Sequence, residues 1–258
     1  MAATADRVLG VLDLFSDDKS EWTVEDAAVA MGLPVSTTYR YFRSLANSEL
    51  IVAYAAGRYV LGPGIIQLDR QLRLHDPFIT AARPEMVRLA NEVGGDTVVL
   101  LARLYHNKVI CVHQEEVGHL KGDVSYQRGR PMPLDKGAAS KVLLANISAK
   151  ATRRLASPEG GLDIDGELRT SLRQIRQQGF AVTEGEIDPG KRGIAVPVFR
   201  PDQTLEGSLS LVVEASRTGS SDLIAALINT RKAIEATLAI RVSVLAVAPD
   251  REPVAEDG

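Results

Sequence analysis

Ser36, Arg40, Arg43 and Asn47 recur at i, i+4, i+7 and i+11 in the segment that follows Pro34. On a helix this spacing lays the four side chains along one stripe, with Thr37 and Tyr39 flanking it. No acid interrupts the stripe before Glu49. Such a set can recognise an anion. Arginine reaches O6 and N7 of guanine with two hydrogen bonds or clamps a phosphate, whereas Ser36, Thr37 and Asn47 position on phosphates or read bases more weakly. Arg40 is the leading candidate for a base contact. An ordinary solvated helix face shows the same stripe, so the surrounding elements have to decide.

Those elements form a run of short helices closed by a hairpin. Val8, Leu9, Val11, Leu12 and Phe15 make an apolar helical stripe, and the polar stretch 16–21 ends it. Thr23 caps a second helix, with Asp26 three places on in a capping-box-like pair. The turn Met31-Gly32-Leu33-Pro34 stops that helix. Ser36 then opens a third, whose core side is Thr38, Phe42 and Leu45. Strands over Leu50–Tyr54 and Arg58–Leu61, joined through Ala55-Ala56-Gly57, form a hairpin with Arg58 near its tip. Helix, helix, turn, helix, hairpin is the winged helix-turn-helix order, and its partner is double-stranded operator DNA. After Gly62-Pro63-Gly64 an amphipathic segment, Ile65–Leu74, carries Leu68 and Leu72 on one side and reads as a linker helix.

Charge complicates this reading. The chain carries a formal net charge of -3, and a nucleic-acid binder is expected to show a basic footprint. Residues 1–75 hold seven arginines and lysines against nine acids. The acids fall mostly on the first helix, its following loop and the second helix, which leaves Arg40, Arg43 and Arg58 unopposed on the third helix and wing. With so few arginines per protomer, tight binding requires two or four copies on a near-palindromic site, so a homodimer or homotetramer is expected.

The second half alternates differently. Helices are expected around Pro84–Val93, Gly137–Ala145, Asp163–Gln178 and Ser221–Val242. Strands are expected near Thr97–Leu104, Val109–Glu115, Lys121–Gln127, Phe180–Glu184, Gly193–Phe199 and Gly207–Glu214. This is an α+β, sensor-like module. Along its last strand Leu209, Leu211 and Val213 face one way and Ser208, Ser210 and Val212 the other. A small-polar face suits a ligand cavity; a solvent-facing serine pair is the plain alternative. Pro131-Met132-Pro133-Leu134 leads into a helix that Asp135 is placed to cap. Helix starts attract anions, so Asp135 in that seat disfavours a carboxylate effector and favours a neutral or amine-bearing one. Lys136 reverses the argument if it pairs with an acid, and both residues also fit a simple cap and a surface charge.

Over nearly the whole chain, from about Asp6 to Val242, the sequence resembles the IclR family of bacterial regulators. The matching segments are DRVLGVLDLF, MGLPVSTTYRYFRSL and GRYVLGPGIIQLD in the first half. RGRPMPLDKGAASKVLLA, IRQQGFAVTEGEIDPGKRGIAVPV and LEGSLSLVV follow in the second. The resemblance implies an N-terminal winged helix over residues 1–62, a linker helix over 63–76 and a C-terminal GAF-like domain over 77–245. A polar, disordered tail is expected at 246–258. It also implies a small-molecule effector, with Leu134, Gly137, Thr183 and Arg192 joining Asp135, Lys136, Gly193, Ser208, Ser210 and Val212 at the pocket. Two departures concern that pocket. Asp135 and Lys136 stand where the family usually has a histidine after Pro-Leu, and Gly193 stands where many members have a cysteine. Loss of the cysteine is expected to enlarge that wall and admit a bulkier, aromatic ligand.

The whole chain fits this reading. Its 258 residues are 45% hydrophobic, enough for two cores. Asp6 and Asp13 interrupt the apolar start, so no signal peptide is expected, and no stretch approaches the roughly 18 apolar residues of a membrane helix. The single cysteine, Cys111, excludes an internal disulfide and fits a cytoplasmic protein. The competing class is a small-molecule enzyme. His113, Glu115, Glu116 and His119 lack a metal-ligand spacing, Cys111 lies in an apolar strand, and Glu184, Glu186 and Asp188 have no histidine partner. No phosphate-cradling glycine motif exists. No catalytic residue, metal or cofactor is therefore expected.

Overall fold

In a computed structural model of the chain, residues 4–120, 124–157, 161–164 and 166–247 are described, and they form two compact units that divide between Asp76 and Pro77. The first unit begins with α1 (Thr4–Leu9), a single 3-10 turn (Leu12–Leu14) and a short strand β1 (Trp22–Thr23). Next come α2 (Val24–Met31), α3 (Val35–Asn47), β2 (Ile51–Ala55), β3 (Arg58–Leu61) and α4 (Pro63–His75). The Thr23 hydroxyl accepts from the Asp26 amide at 3.1 Å, the expected cap of α2. Gly32 ends α2 in the left-handed region at φ 63°, and the Leu33 amide reaches back to the Ala28 carbonyl at 2.9 Å. α3 starts one residue earlier than expected. Pro34, which has no side-chain cap, accepts the Thr37 and Thr38 amides at its carbonyl.

Thr38, Tyr41, Phe42 and Leu45 form the buried side of α3 and pack with Val11, Val24, Ala27 and Ile51. The Phe42 ring meets Tyr59 of the wing edge-on, with centroids 5.0 Å apart. The wing has three strands in the order β1-β3-β2, and β1 was not expected. Two residues carry too little periodicity to announce a strand, and Trp22 pairs with Tyr59 across 37 residues of chain. The Trp22 indole N–H donates to the Leu14 carbonyl at 2.9 Å, and the Lys19 ammonium lies 3.6 Å from the ring centroid.

The second unit is an antiparallel sheet of six strands in the order β6-β5-β4-β9-β8-β7. Its strands are β4 (Thr97–Tyr105), β5 (Lys108–Val117), β6 (Pro131–Met132), β7 (Ala181–Glu184), β8 (Lys191–Phe199) and β9 (Leu205–Glu214). Helices α5 (Pro77–Val93) and α9 (Ser220–Val247) contribute to the core on one face, with Phe78, Met86, Leu101, Leu209, Leu211 and Ile234. Helices α6 (Ala138–Asn146), α7 (Ala149–Leu155) and α8 (Gly166–Gln178) contribute to the core on the other, with Leu100, Cys111, Leu143, Leu172 and Val212. Both faces are therefore buried, which settles the orientation of β9: Ser208 and Ser210 point into the protein, at 0% and 2% exposure. The solvent-facing alternative is excluded.

Three expectations need correction. α5 starts at Pro77 and runs through Pro84, because Phe78, Ile79, Ala81 and Ala82 on its first turns are buried against the core. Of the strand expected over Lys121–Gln127, residues 121–123 lie outside the described residues and 124–127 are irregular. The β5 edge they would need is taken by Pro131 and Met132 of β6 and by a parallel bridge from Cys111 to Arg128. α9 extends to Val247, two residues into the expected tail, and the rest of that tail lies outside the described residues.

The chain's single tryptophan, Trp22, belongs to the first unit, so its fluorescence follows that unit alone. Phe42→Ala removes a fully buried ring, and its expected cost is about 3–5 kcal/mol. The Trp22 unfolding midpoint in urea should fall accordingly; an unchanged midpoint would show that this ring does not hold α3 against the wing.

Candidate functional site

Two regions concentrate chemistry, one in each unit. On α3 the sides facing away from Phe42 and Leu45 carry Ser36, Tyr39, Arg40, Arg43 and Asn47, all exposed, with Thr37 half-buried. Among the described residues neither Arg40 nor Arg43 has a salt-bridge partner. Ser44, one turn after Arg40, is exposed on the same stripe and belongs with the set. Its i+4 spacing was legible in the sequence. Val35 at the start of α3 is also exposed, which supplies an apolar contact beside the polar stripe. Arg58 departs from expectation: it is not unopposed, because its guanidinium is paired with the Glu21 carboxylate. The β1–β3 pairing causes this by setting Thr23 opposite Arg58, which brings Glu21 within reach. Of the arginines on α3 and the wing, Arg40 and Arg43 are the ones without a salt-bridge partner among the described residues.

The second region is a cavity in the α6 half of the other unit, between the start of α6, the loop 185–190 and the sheet. Five of the expected effector residues line it: Gly137, Thr183, Gly193, Ser210 and Val212. The other five do not. Leu134 packs in the core beside it, and Ser208 lies two residues further along β9. Asp135 and Lys136 precede α6 on its outer side, and Lys136 is exposed. Arg192 points to the opposite side of β8 from Lys191 and Gly193. It pairs there with Glu184 at 3.1 Å and donates to the Arg217 carbonyl at 2.7 Å, tying β8 to the chain that leads into α9.

The start of α6 holds a carboxylate, but not that of Asp135. Gly137 occupies the cap position at φ 81°, with no cap from a neighbouring side chain. The Glu186 carboxylate, from the loop after β7, accepts the Gly137 amide at 2.9 Å and the Lys141 ammonium at 2.5 Å. The anion seat that sequence spacing assigned to Asp135 is thus filled from 49 residues away. A side chain at Gly137 would also collide with the Tyr126 hydroxyl. Asp188, next in the loop, accepts from the Ser125 amide at 3.0 Å and from its hydroxyl at 2.5 Å, which fixes the segment that delivers Tyr126. Lys191 is paired with Glu214 at 2.6 Å. Glu184, Glu186 and Asp188 are therefore no carboxylate cluster; each answers a different partner.

Hydroxyls are the polar groups left over. Tyr126 Oη, Ser140 Oγ and Ser210 Oγ are buried and find no hydrogen-bond partner among the described protein groups. Burial pushes the Tyr126 phenol up to about 12, and the charges of Asp188 and Glu186 add to the rise. Tyr126 is therefore a neutral donor at physiological pH. The absence of a cysteine at Gly193 does not open the wall as expected: a Cβ there would already meet Thr183 Oγ1 at 3.3 Å and the Ala138 methyl at 3.4 Å. The cavity volume is about 30 Å³, room for one or two water molecules.

The remaining candidates are structural. His113 and Glu115 share a hydrogen bond at 2.7 Å, the His119 amide donates to Asp96 at 2.8 Å, and Glu116 takes the Gln114 amide. No group of three metal-binding side chains exists among the described residues. Cys111 is fully buried in the core, and burial pushes its thiol up to about 11, the reverse of an activated nucleophile. No helix of the described residues is long and apolar enough to cross a membrane.

A winged helix with a free arginine stripe, followed by a sheet domain enclosing a hydroxyl-lined cavity, defines a class: a DNA-binding regulator with a sensor module. The sequence patterns of known families agree. Residues 4–53 match the IclR helix-turn-helix domain and residues 75–237 match the C-terminal domain of bacterial IclR transcriptional regulators. The chain belongs to the IclR family. It is 26% identical over 229 residues to the HTH-type transcriptional regulator XynR of Escherichia coli, covering 85% of this chain and 89% of that protein. It is 24% identical over 231 residues to the Pca regulon regulatory protein of Pseudomonas putida, covering 84% and 76%. Among solved structures, the IclR transcriptional regulator of Alicyclobacillus acidocaldarius superposes with a TM-score of 0.72 at 25% identity over 92% of this chain and 99% of that one. An IclR homologue of Microbacterium hydrocarbonoxydans complexed with 4-hydroxybenzoate gives 0.70 at 23% identity, over 92% and 99%. These relatives are regulators, not enzymes, so the enzymatic alternative falls.

A buried hydroxyl without a partner costs about 1–3 kcal/mol. Ser210→Ala should therefore raise the melting temperature of the ligand-free protein, whereas a hydroxyl that holds the fold together would lower it. A scanning calorimetry comparison reads the sign directly.

Proposed function

We propose that the chain binds operator DNA through α3 and that a small molecule in the α6 cavity modulates this grip, with Ser36, Thr37, Tyr39, Arg40, Arg43, Ser44 and Asn47 as the reading set. The observation that carries the reading is the exposed, unpaired state of Arg40 and Arg43 on a helix whose other side is locked into a winged-helix core. Arg58 steadies the wing through Glu21 and is removed from the contact set. The functional partition follows as a winged helix over 1–62, a linker over 63–76 and a GAF-like effector module from 77 onward. A protein of this kind works where the chromosome lies, in the cytoplasm.

We also infer a dimer or tetramer on DNA. α4 supports it, since none of its residues is buried and it leaves Leu68 at 58% and Leu72 at 47% exposure. Such an apolar stripe is expected to find a partner. With an operator selected from randomised duplexes, sedimentation should count two or four chains per duplex. Arg40→Ala should cost about 1–3 kcal/mol per half-site, a loss of at least about tenfold in affinity, without shifting the Trp22 spectrum. One chain per duplex, or undiminished affinity in the variant, would overturn the assignment.

The effector class follows from charge. Glu186 already occupies the α6 N-terminus, both cavity-side lysines are paired, and the free groups are neutral hydroxyls. A ligand carboxylate would have to evict Glu186, so the proposed effector is neutral or amine-bearing, and an aromatic one is accommodated by loop opening. Isothermal calorimetry with 4-hydroxybenzamide, 4-hydroxybenzohydrazide and 4-hydroxybenzoate tests this. The amide or hydrazide should bind more tightly, and Glu186→Gln should narrow the gap; a preference for the carboxylate in the unaltered protein sinks the charge argument.

A further inference from the structure

Outside the cavity, a group of arginines without salt-bridge partners among the described residues lies where α6, α7 and α8 meet. Arg169, Arg173 and Arg176 stand at i, i+4 and i+7 on α8, and Arg153 joins them from α7, all four exposed. They line a groove of about 710 Å³ whose floor is apolar: Leu144, Ile147 and Leu172, with Leu162 and Ile164 on the far wall. Asp163 is the only acid among the described residues that line it, and it forms no salt bridge. α8 itself offers no relief, since its one acid, Glu167, lies in the first turn and the rest of its polar positions are Arg, Gln, Ser and Thr.

Such clustering works against the isolated fold. Like charges at i, i+4 destabilise a helix, and no salt bridge among the described residues offsets the Arg169–Arg173 pair. Arg169 donates weakly to the Ile164 carbonyl at 3.4 Å, and Arg153, Arg173 and Arg176 line the same groove with no salt-bridge partner among the described residues. An apolar floor with a one-sided cationic rim is complementary to a molecule with an apolar body and an anionic head. The volume lies within the roughly 300–1,000 Å³ range of small-molecule sites. Three arginines spread over about 10 Å of helix exceed what one carboxylate can satisfy, and guanidinium groups pair bidentately with phosphate. The short reach of this rim, two helical turns, fits a small molecule better than a nucleic acid or a long acidic helix. A nucleic acid would also leave the apolar floor unused.

We propose that this groove binds a small amphipathic polyanion, an apolar chain joined to a phosphate-bearing head, as in an acyl thioester of a phosphorylated nucleotide carrier. It is distinct from the α6 cavity, but the same helix serves both: Gly137 to Ala139 line the cavity and Leu144 and Ala145 line the groove.

Isothermal calorimetry on the full chain tests this with octanoyl-coenzyme A below its micellar concentration, coenzyme A alone and octanoate alone. The expected result is saturable binding of one octanoyl-coenzyme A per chain, at least tenfold tighter than either fragment. Arg173→Glu/Arg176→Glu and the milder Arg173→Gln/Arg176→Gln should each weaken it at least tenfold with the circular dichroism spectrum unchanged. Ser210→Ala, inside the other cavity, should leave it intact. Absence of saturable heat, equal affinity for a fragment, equal affinity in the arginine variants, or loss on Ser210→Ala would each overturn the groove assignment while leaving the DNA-reading proposal untouched.

Discussion

Burial of the sheet on both faces is the constraint from which the sensor module follows. Strand side chains alternate, so a strand in the middle of a covered sheet sends every second residue into each of two cores. β9 meets this by packing Leu209, Leu211 and Val213 against the α5 and α9 side and turning Ser208, Ser210 and Val212 to the α6 side. Two serines in the interior are expensive unless something meets them, and one of them, Ser210, borders the cavity. A sheet with one wet face would have made the same residues unremarkable.

The cavity's electrical character is set by pairings from distant parts of the chain. Glu186 closes the positive end of α6 and holds Lys141, Asp188 secures the segment bearing Tyr126, and Glu214 engages Lys191. Once these pairs form, the interior presents neutral hydroxyls around a space of about 30 Å³. The loop 185–190 supplies both Glu186 and part of the cavity wall, so one element shapes the space and holds the charge at the start of α6.

In the other unit the same logic runs in the opposite direction. Glu21 pairs with Arg58 and Asp26 with Lys19, so the positive charge of the wing and of the preceding loop is offset locally. Arg40 and Arg43 on α3, by contrast, have no salt-bridge partner among the described residues.

Local and periodic information was legible in the sequence. The stripe from Ser36 to Asn47, the buried side Thr38, Phe42 and Leu45, the Thr23 cap, the left-handed Gly32 and the alternation along β9 each involve residues within a few turns or one strand, and the structure keeps them. The IclR membership was legible for the same reason, as motifs are contiguous. What the tertiary structure alone decided is everything that rests on pairing across long separations: Glu21 with Arg58, β1 with β3, Glu186 in place of Asp135 at the start of α6, Tyr126 over Gly137, and the outward turn of Arg192. A carboxylate 49 residues away competes on equal terms with one two residues away once the chain is folded, and only folding brings the distant one within hydrogen-bonding distance.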